Sequence, residues 1–588
     1  MFKSVAIATV SIWAVASVAH AQAYNRMVAF GDSLTDKGSL TVGAPQPPYF
    51  DGRFSNGPVW VEDLGFSNIA GYGGSTSGNA DYALGGADTG LSNPPPGLGV
   101  QLQQYQAGGG VFGPHDLAIA WGGTNNLLTA LNAADPTAVM PTAAQGAAND
   151  MGAMAATIGH AGAGTVLVPN LMDLGNAPGF DADAIGATSS QLLTSGVQTF
   201  NQALLTNLRT AASANPGTNY IYMDVNKLTS AINASPSQFG FTAGRCLSNA
   251  GVECASPSNY FYFDGLHPTA AGHALIADLA DDYIYYGDRG AATALEAEDI
   301  QSSRQRAFDS AFGLLDGAGP DGSRATVQVD GERYDTTVRT LAPEAIGRDG
   351  DVRLVFDHSW SGQRLGLALD LGEGQVRAAP LSFNTKTYGG DLYYGWSGSS
   401  VWVKATAGLD RTSLDDIHRA TGVGPIVEIG ETHAWTWGGA AQAGLRFGVG
   451  ALQVGPRMGL SYTRVTVDGY QETGASADYV YQNRSLDAVM LDGALRAETA
   501  VASRTSGFAE VGYERFLSYN GDPVVTSLAD NTALPLSRDV GAPIQGQAFI
   551  AVGLSQSFGG RVTVQARYKG EFGDRTAQGG AVALRVSF

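Results

Sequence analysis

The chain has 588 residues, more than one hydrophobic core usually organises, so at least two domains are expected. Its formal net charge of -20 excludes a polyanion partner, because nucleic-acid binders neutralise phosphates with clustered Lys and Arg. A charged fraction of only 15%, with 79 glycines, suits an exported protein with a Gly-rich β region better than a cytosolic enzyme.

At the start, an uncharged apolar run from Val5 to Val18 is followed by Ala19-His20-Ala21, which has the small-x-small form of a signal-peptidase site. Residues 1–21 are read as an export signal, the run being short for a bilayer span. No other stretch has the length and apolarity of a transmembrane helix, so any later membrane insertion is expected through a β-barrel.

Residues 24–288 alternate short apolar strands with helical stretches, the pattern of an α/β domain with a parallel sheet. Strands are expected at Met27–Phe30, Leu117–Trp121, Val166–Pro169 and Tyr220–Val225. Helices are expected over Gln191–Ala214, where Leu193, Val197, Phe200, Leu204 and Leu208 recur at helical spacing, and over His273–Tyr285. Cys246 and Cys254 are the only cysteines, and in an exported chain a local disulfide is the first expectation, with two buried thiols as the alternative.

Residues 289–322 change character: a polar, Ala-rich helix over Ala291–Leu315 runs into a Gly-rich stretch and reads as a linker. Beyond it, over 323–588, the period becomes two. Val562, Val564, Ala566 and Tyr568 alternate with Thr563, Gln565, Arg567 and Lys569, and the chain ends with Val582, Leu584, Val586 and Phe588 on one face. A soluble sandwich alternates too, but this length divided into strands of about ten residues favours a transmembrane antiparallel β-barrel of about twelve strands.

Phe30-Gly31-Asp32-Ser33-Leu34 follows the first strand, placing Ser33 at the carboxyl end of a parallel strand, where open α/β sheets hold their ligands. A serine at such a junction is also an ordinary helix N-cap, with Asp36 completing a capping box. The nucleophile reading gains from Asp264-Gly265-Leu266-His267, just before the last helix of the domain. A serine hydroxyl is a poor nucleophile until an imidazole takes its proton, and the imidazole needs a carboxylate to hold its tautomer. Asp81–Ala87, with Gly85 and Gly86, and Trp121–Asn126, with Asn125, are the candidate sources of oxyanion donors. The aromatics Tyr49, Phe50, Trp60 and Tyr82 lie near these motifs, as acyl-pocket lining or as core.

Taken in order, these segments resemble the SGNH (GDSL) hydrolase family, and the likeness spans about residues 24–285. The resemblance implies a three-layer α/β domain in which Ser33 is the nucleophile, His267 the base and Asp264 its orienting acid. It also implies an oxyanion hole from the N–H of Ser33, the N–H of Gly86 and the side chain of Asn125, with no metal or cofactor. Two positions depart from the family pattern: Asn126 stands where Asp is usual, and Asp81 where Asn is common. The C-terminal region resembles the translocator barrel of autotransporters. That likeness implies a helix within the pore, a terminal aromatic read by the outer-membrane assembly machinery, and display of the catalytic domain at the surface of a bacterial outer membrane. The expected activity is hydrolysis of acyl or lipid esters. O-deacetylation of glycans, acyl transfer, or a non-catalytic adhesin on the same fold are the alternatives, although no repeat of fixed period supports an adhesin.

Overall fold

The computed structural model describes residues 24–39, 44–316, 321–449, 451–502, 504–543 and 545–588. The expected export signal, 1–21, lies outside the described residues. Among the described residues, no helix is long and apolar enough to cross a membrane.

The N-terminal domain is built on a parallel sheet of five strands: β1 (Arg26–Gly31), β2 (Ala80–Asp81), β3 (Asp116–Trp121), β4 (Thr165–Pro169) and β5 (Asn219–Met223), in the order β2-β1-β3-β4-β5. Met27, Val28, Ala29 and Phe30 of β1 are all fully buried, as are Leu117 to Trp121 of β3. A parallel strand covered on both faces reads as a continuous apolar run for this reason. The helices are α1 (Leu98–Ala107), α2 (Thr124–Leu131), α3 (Pro136–His160), α4 (Ala187–Ala214), α5 (Val225–Ala234) and α6 (Ala270–Ile284).

Their starts carry their own signals. Asp135 caps α3 by accepting the N–H of Ala138, with Pro136 at the first position, and Thr269 caps α6 by accepting from Gly272. The fifth strand stops two residues earlier than the sequence pattern suggests, because Asp224 turns the chain and caps α5 through the N–H of Lys227. A two-stranded ladder, β6 (Thr242–Arg245) with β7 (Tyr260–Tyr262), flanks the disulfide loop.

The C-terminal domain is a closed antiparallel barrel of twelve strands. They are β8 (Gly322–Thr336), β9 (Ala345–Trp360), β10 (Gln363–Ala378), β11 (Leu381–Ser397), β12 (Val401–Ala420), β13 (Val427–Leu445), β14 (Leu452–Val467), β15 (Arg484–Ala502), β16 (Thr505–Gly521), β17 (Gln547–Phe558), β18 (Val562–Gly573) and β19 (Arg575–Ser587). Neighbours pair in sequence order. The ring closes where β19 meets β8, with Val582 opposite Val329. Alternation sorts the side chains. On β10, Leu365, Leu367, Leu369 and Leu371 point outward with 43–54% of their surface exposed, while Arg364, Gly366, Ala368 and Asp370, which alternate with them, are buried inside. Apolar outside and polar inside is the arrangement of a barrel solvated by lipid.

Helix α7 (Ala294–Leu314) occupies the lumen. Arg304 pairs with Asp391 and with Asp410, and Arg306 with Asp349 and Asp351 at 2.8 and 2.9 Å. The carbonyls at its C-terminal end are met by cations of the wall. Leu314 O accepts from Arg364 and Arg585, each at 2.6 Å, and Phe312 O from Lys404 at 3.1 Å.

Four short strands in the loops above the barrel, Tyr470–Gln471, Tyr479–Tyr481, Val524–Leu528 and Leu536–Arg538, form a small sheet that docks on the N-terminal domain. At its centre, buried Asp282 of α6 accepts from Arg419 of the barrel at 2.7 Å and from Ser476 at 2.7 Å, while Lys227 of α5 pairs with Asp478 at 2.6 Å. The two domains therefore share one packed interface rather than hanging on a bare linker.

Candidate active site

β1 ends at Gly31 and the chain turns sharply through Asp32–Thr35 without entering a helix, so Ser33 is not an N-cap. The turn is tight because the carbonyl of Asp32 accepts the N–H groups of Thr35 and Asp36, and its Oδ1 takes that of Leu34. Gly31 is anchored on both sides by Gln101 of α1, which receives its N–H and donates to its carbonyl. A side chain at Gly31 would lie 2.9 Å from Trp121 O, so strand and turn approach here only with glycine.

Asp264 and His267 arrive from the segment between β7 and α6. Oδ1 of Asp264 accepts the backbone N–H of Leu266 and of His267, an Asx turn that fixes the spacing of acid and base. Its Oδ2 faces Nδ1 of His267 at 2.8 Å, and Nε2 of the same ring faces Ser33 Oγ at 2.8 Å. Ser33, His267 and Asp264 thus form one hydrogen-bonded row, with Ser33 only 7% exposed. Burial raises the proton affinity of the Asp264 carboxyl, but the facing imidazole and the backbone donors outweigh it and hold the group well below the usual carboxylate range.

The glycine pair lies in the loop after β2. Gly85 gives its N–H to Oδ2 of Asp36 at 2.9 Å, while the other oxygen of Asp36 takes the N–H groups of Gly38 and Ser39. Asp36 therefore ties the glycine loop to the serine loop. Gly86 sits at φ +80°, a conformation other residues adopt only with strain. Asn125, at the start of α2, donates from Nδ2 to Ala87 O at 2.9 Å, which brings its amide beside that loop. Asn126 accepts the N–H of Thr89 through Oδ1 at 3.1 Å, so the uncharged residue still holds the same loop. Asp81 is fully buried and caps two backbone N–H groups, those of Ala83 and Lys37, with burial pushing its carboxyl well up.

Cys246 and Cys254 are joined in a disulfide. The bridge packs with Leu247, Phe263, Tyr49 and Tyr260 directly behind Asp264. Of the aromatics singled out near the motifs, Trp60 and Tyr82 are core, Trp60 lying edge-on to Trp121 at 5.6 Å, and Phe50 is exposed. Tyr49 does something the sequence did not signal: its hydroxyl donates to Asp264 Oδ2 at 2.7 Å. Phe54, also missed, lies against the His267 ring with centroids 5.1 Å apart. Neither sits in a motif, and both reach the site across more than two hundred residues of chain, as with the 215 between Tyr49 and Asp264.

Comparison with known proteins agrees with this division. Residues 27–280 match the model of the GDSL-like lipase/acylhydrolase family, and residues 325–569 match that of the autotransporter β-domain. The chain joins a GDSL-type hydrolase domain to an autotransporter β-domain. It is 26% identical over 470 residues to esterase EstA of Pseudomonas aeruginosa, covering 72% of this chain and 68% of that one. It is 27% identical over 577 residues to an uncharacterised Pseudomonas putida protein from the trpE-trpG intergenic region, covering 87% of this chain and 91% of that one. Among solved structures, the translocator domain of the autotransporter NalP from Neisseria meningitidis aligns with a TM-score of 0.43 and 16% identity, over 51% of this chain and 99% of that one. The autotransporter barrel belongs to the outer membrane, with the GDSL-type domain exposed.

Proposed function

We propose that this GDSL-type hydrolase cleaves acyl esters, lipid esters among them, through an acyl-enzyme on Ser33. The observation that carries the reading is the unbroken row Ser33 Oγ, His267 Nε2, His267 Nδ1, Asp264 Oδ2, with 2.8 Å at each hydrogen bond. The similarity to an esterase, EstA, points to the same reaction.

In this mechanism Ser33 Oγ attacks the ester carbonyl as His267 Nε2 takes its proton. Asp264 holds Nδ1–H toward itself, which leaves Nε2 free to act as the base and stabilises the imidazolium once formed. The developing oxyanion is received by the N–H of Ser33, the N–H of Gly86 and the amide of Asn125. Gly85, whose N–H is engaged by Asp36, is not a donor. Each donor of this kind is commonly worth about a hundredfold or more in rate. His267 then returns the proton to the leaving alcohol, and a water activated the same way releases the acid. The Cys246–Cys254 bridge steadies the segment that presents acid and base. We also propose that Phe588, which follows the last barrel strand and is 77% exposed, is offered to the outer-membrane assembly machinery.

A fluorophosphonate probe tests the central residue. The wild-type protein is expected to form a covalent adduct on Ser33 and lose ester hydrolysis in step with labelling, whereas Ser33→Ala takes up no label. Equal labelling of both proteins removes Ser33 from the mechanism.

A further inference from the structure

We infer that Tyr49 is a positioning residue of the hydrolytic site, acting through Asp264 on His267; the inference rests on the hydrolase reading above. Oδ2 of Asp264 carries two donors, the imidazole N–H of His267 at 2.8 Å and the hydroxyl of Tyr49 at 2.7 Å. A carboxylate oxygen shared in this way is fixed in direction, and the charge it directs at the imidazolium is moderated by the second donor.

The hydroxyl is delivered by a built segment rather than by a loose loop. Phe50 N–H donates to Ser55 O at 2.8 Å and Arg53 N–H to Phe50 O at 3.0 Å, closing a turn over Tyr49–Ser55. Arg53 clamps that turn to Glu62 through two hydrogen bonds of 2.8 Å each. Its far end is tied to the chain just beyond His267: Ser55 Oγ donates to Pro268 O, and Asn56 accepts from Ala270 N, both at 2.9 Å. The Tyr49 ring stands edge-on to Phe263, the residue before Asp264, at 5.2 Å, and the disulfide cluster packs behind both. Phe54 of the same turn faces the imidazole. One short segment therefore touches both the acid and the base of the site.

The phenol is also suited to act as a permanent donor. Burial, and then the adjacent Asp264 charge, push its ionisation far above the ordinary tyrosine range, so it keeps its proton wherever an ester hydrolase works; Arg245 opposes this only weakly. The aromatic packing explains why a tyrosine, rather than a serine or threonine, serves at this distance from the backbone.

The test compares full-length wild-type protein, Tyr49→Phe, Tyr49→Leu and Ser33→Ala on p-nitrophenyl butyrate across pH. Tyr49→Phe keeps the ring and its packing and removes one hydrogen bond to a charged group, so kcat is expected to fall about tenfold with KM within about twofold. The acidic limb of kcat/KM is expected to move to higher pH by about half a unit, because the carboxylate now directs more charge at the imidazolium. Its Tm is expected to stay within a few degrees of wild type, while Tyr49→Leu lowers both kcat and Tm. A Tyr49→Phe protein with wild-type kcat and pH profile overturns the inference, and so does a fall in kcat with the acidic limb unmoved, which marks a purely structural role. Activity of Ser33→Ala equal to wild type instead overturns the hydrolase reading on which the inference stands.

Discussion

The two domains place the same side-chain types in opposite positions. In β1 of the hydrolase domain Met27 to Phe30 lie wholly inside. In β10 of the barrel the four leucines face out, and Arg364 and Asp370 face in. The difference follows from the solvent: water surrounds the first domain and lipid the second, so the apolar surface turns toward whichever side lacks water. The inverted interior then needs charges of both signs in contact, as with Arg304 between Asp391 and Asp410, because an isolated buried charge is costly. The hydrolase domain, by contrast, keeps few buried charges, and several of these surround its site. Asp32, whose Oδ2 has no hydrogen bond among the described residues, is pushed by burial up to about 6.

If the domains are chemically separate in this way, substitutions should divide cleanly between them. The largest effect is expected from His267→Ala, which should lower kcat on the order of ten-thousandfold. The heat-modifiable mobility of the folded barrel on a gel should be unchanged; loss of the folded band would mean that the site and the barrel are not independent.

Next in size is Leu367→Arg on the lipid face. Folding of the barrel into phospholipid vesicles, followed by urea titration, should show a loss of about 2–4 kcal/mol if this position lies near the bilayer midplane. Leu367→Ala should cost much less, and equal costs for Arg and Ala would place that face away from lipid.

The smallest effect concerns His273 of α6, fully buried, with neither ring nitrogen hydrogen-bonded among the described residues. Burial, with the nearby His267 second, pushes it down to about 3. The unfolded chain therefore takes up a proton that the native state refuses between about pH 6.5 and 3, so this histidine makes the fold less stable as pH falls through that window. Lowering the pH from about 7.5 to about 5.5 should therefore favour His273→Leu over wild type by on the order of 1 kcal/mol, read as the change in their stability difference in urea titrations. A difference that does not vary with pH contradicts the buried neutral imidazole.

Much of this molecule was legible before the structure. The barrel announced itself because stretches such as Val562–Lys569 alternate strictly, and because the remaining length divides into about twelve strands. Ser33, and Asp264 with His267, stood out because each lies in a contiguous motif whose spacing the local turn dictates. What stayed hidden depends on contacts between distant segments. Nothing near Tyr49 signals its bond to Asp264, and nothing near Asp282 signals that Arg419, 137 residues away, will bury its charge. The four short loop strands that dock on the hydrolase domain escaped for a related reason: each has two to five residues, too few to show a period. The strand expected to continue through Val225 failed on a competing cap at Asp224, where a side chain bonded to Lys227 N–H starts a helix instead.

The account as a whole is tested most directly on intact cells producing wild-type protein or Ser33→Ala at equal surface level, assayed with short- and long-chain p-nitrophenyl esters before and after added protease. It predicts hydrolysis by wild-type cells that protease removes, and none above background in the variant. Equal hydrolysis by both would contradict Ser33 as nucleophile, and Ser33-dependent activity untouched by protease would contradict display of the hydrolase domain outside the cell.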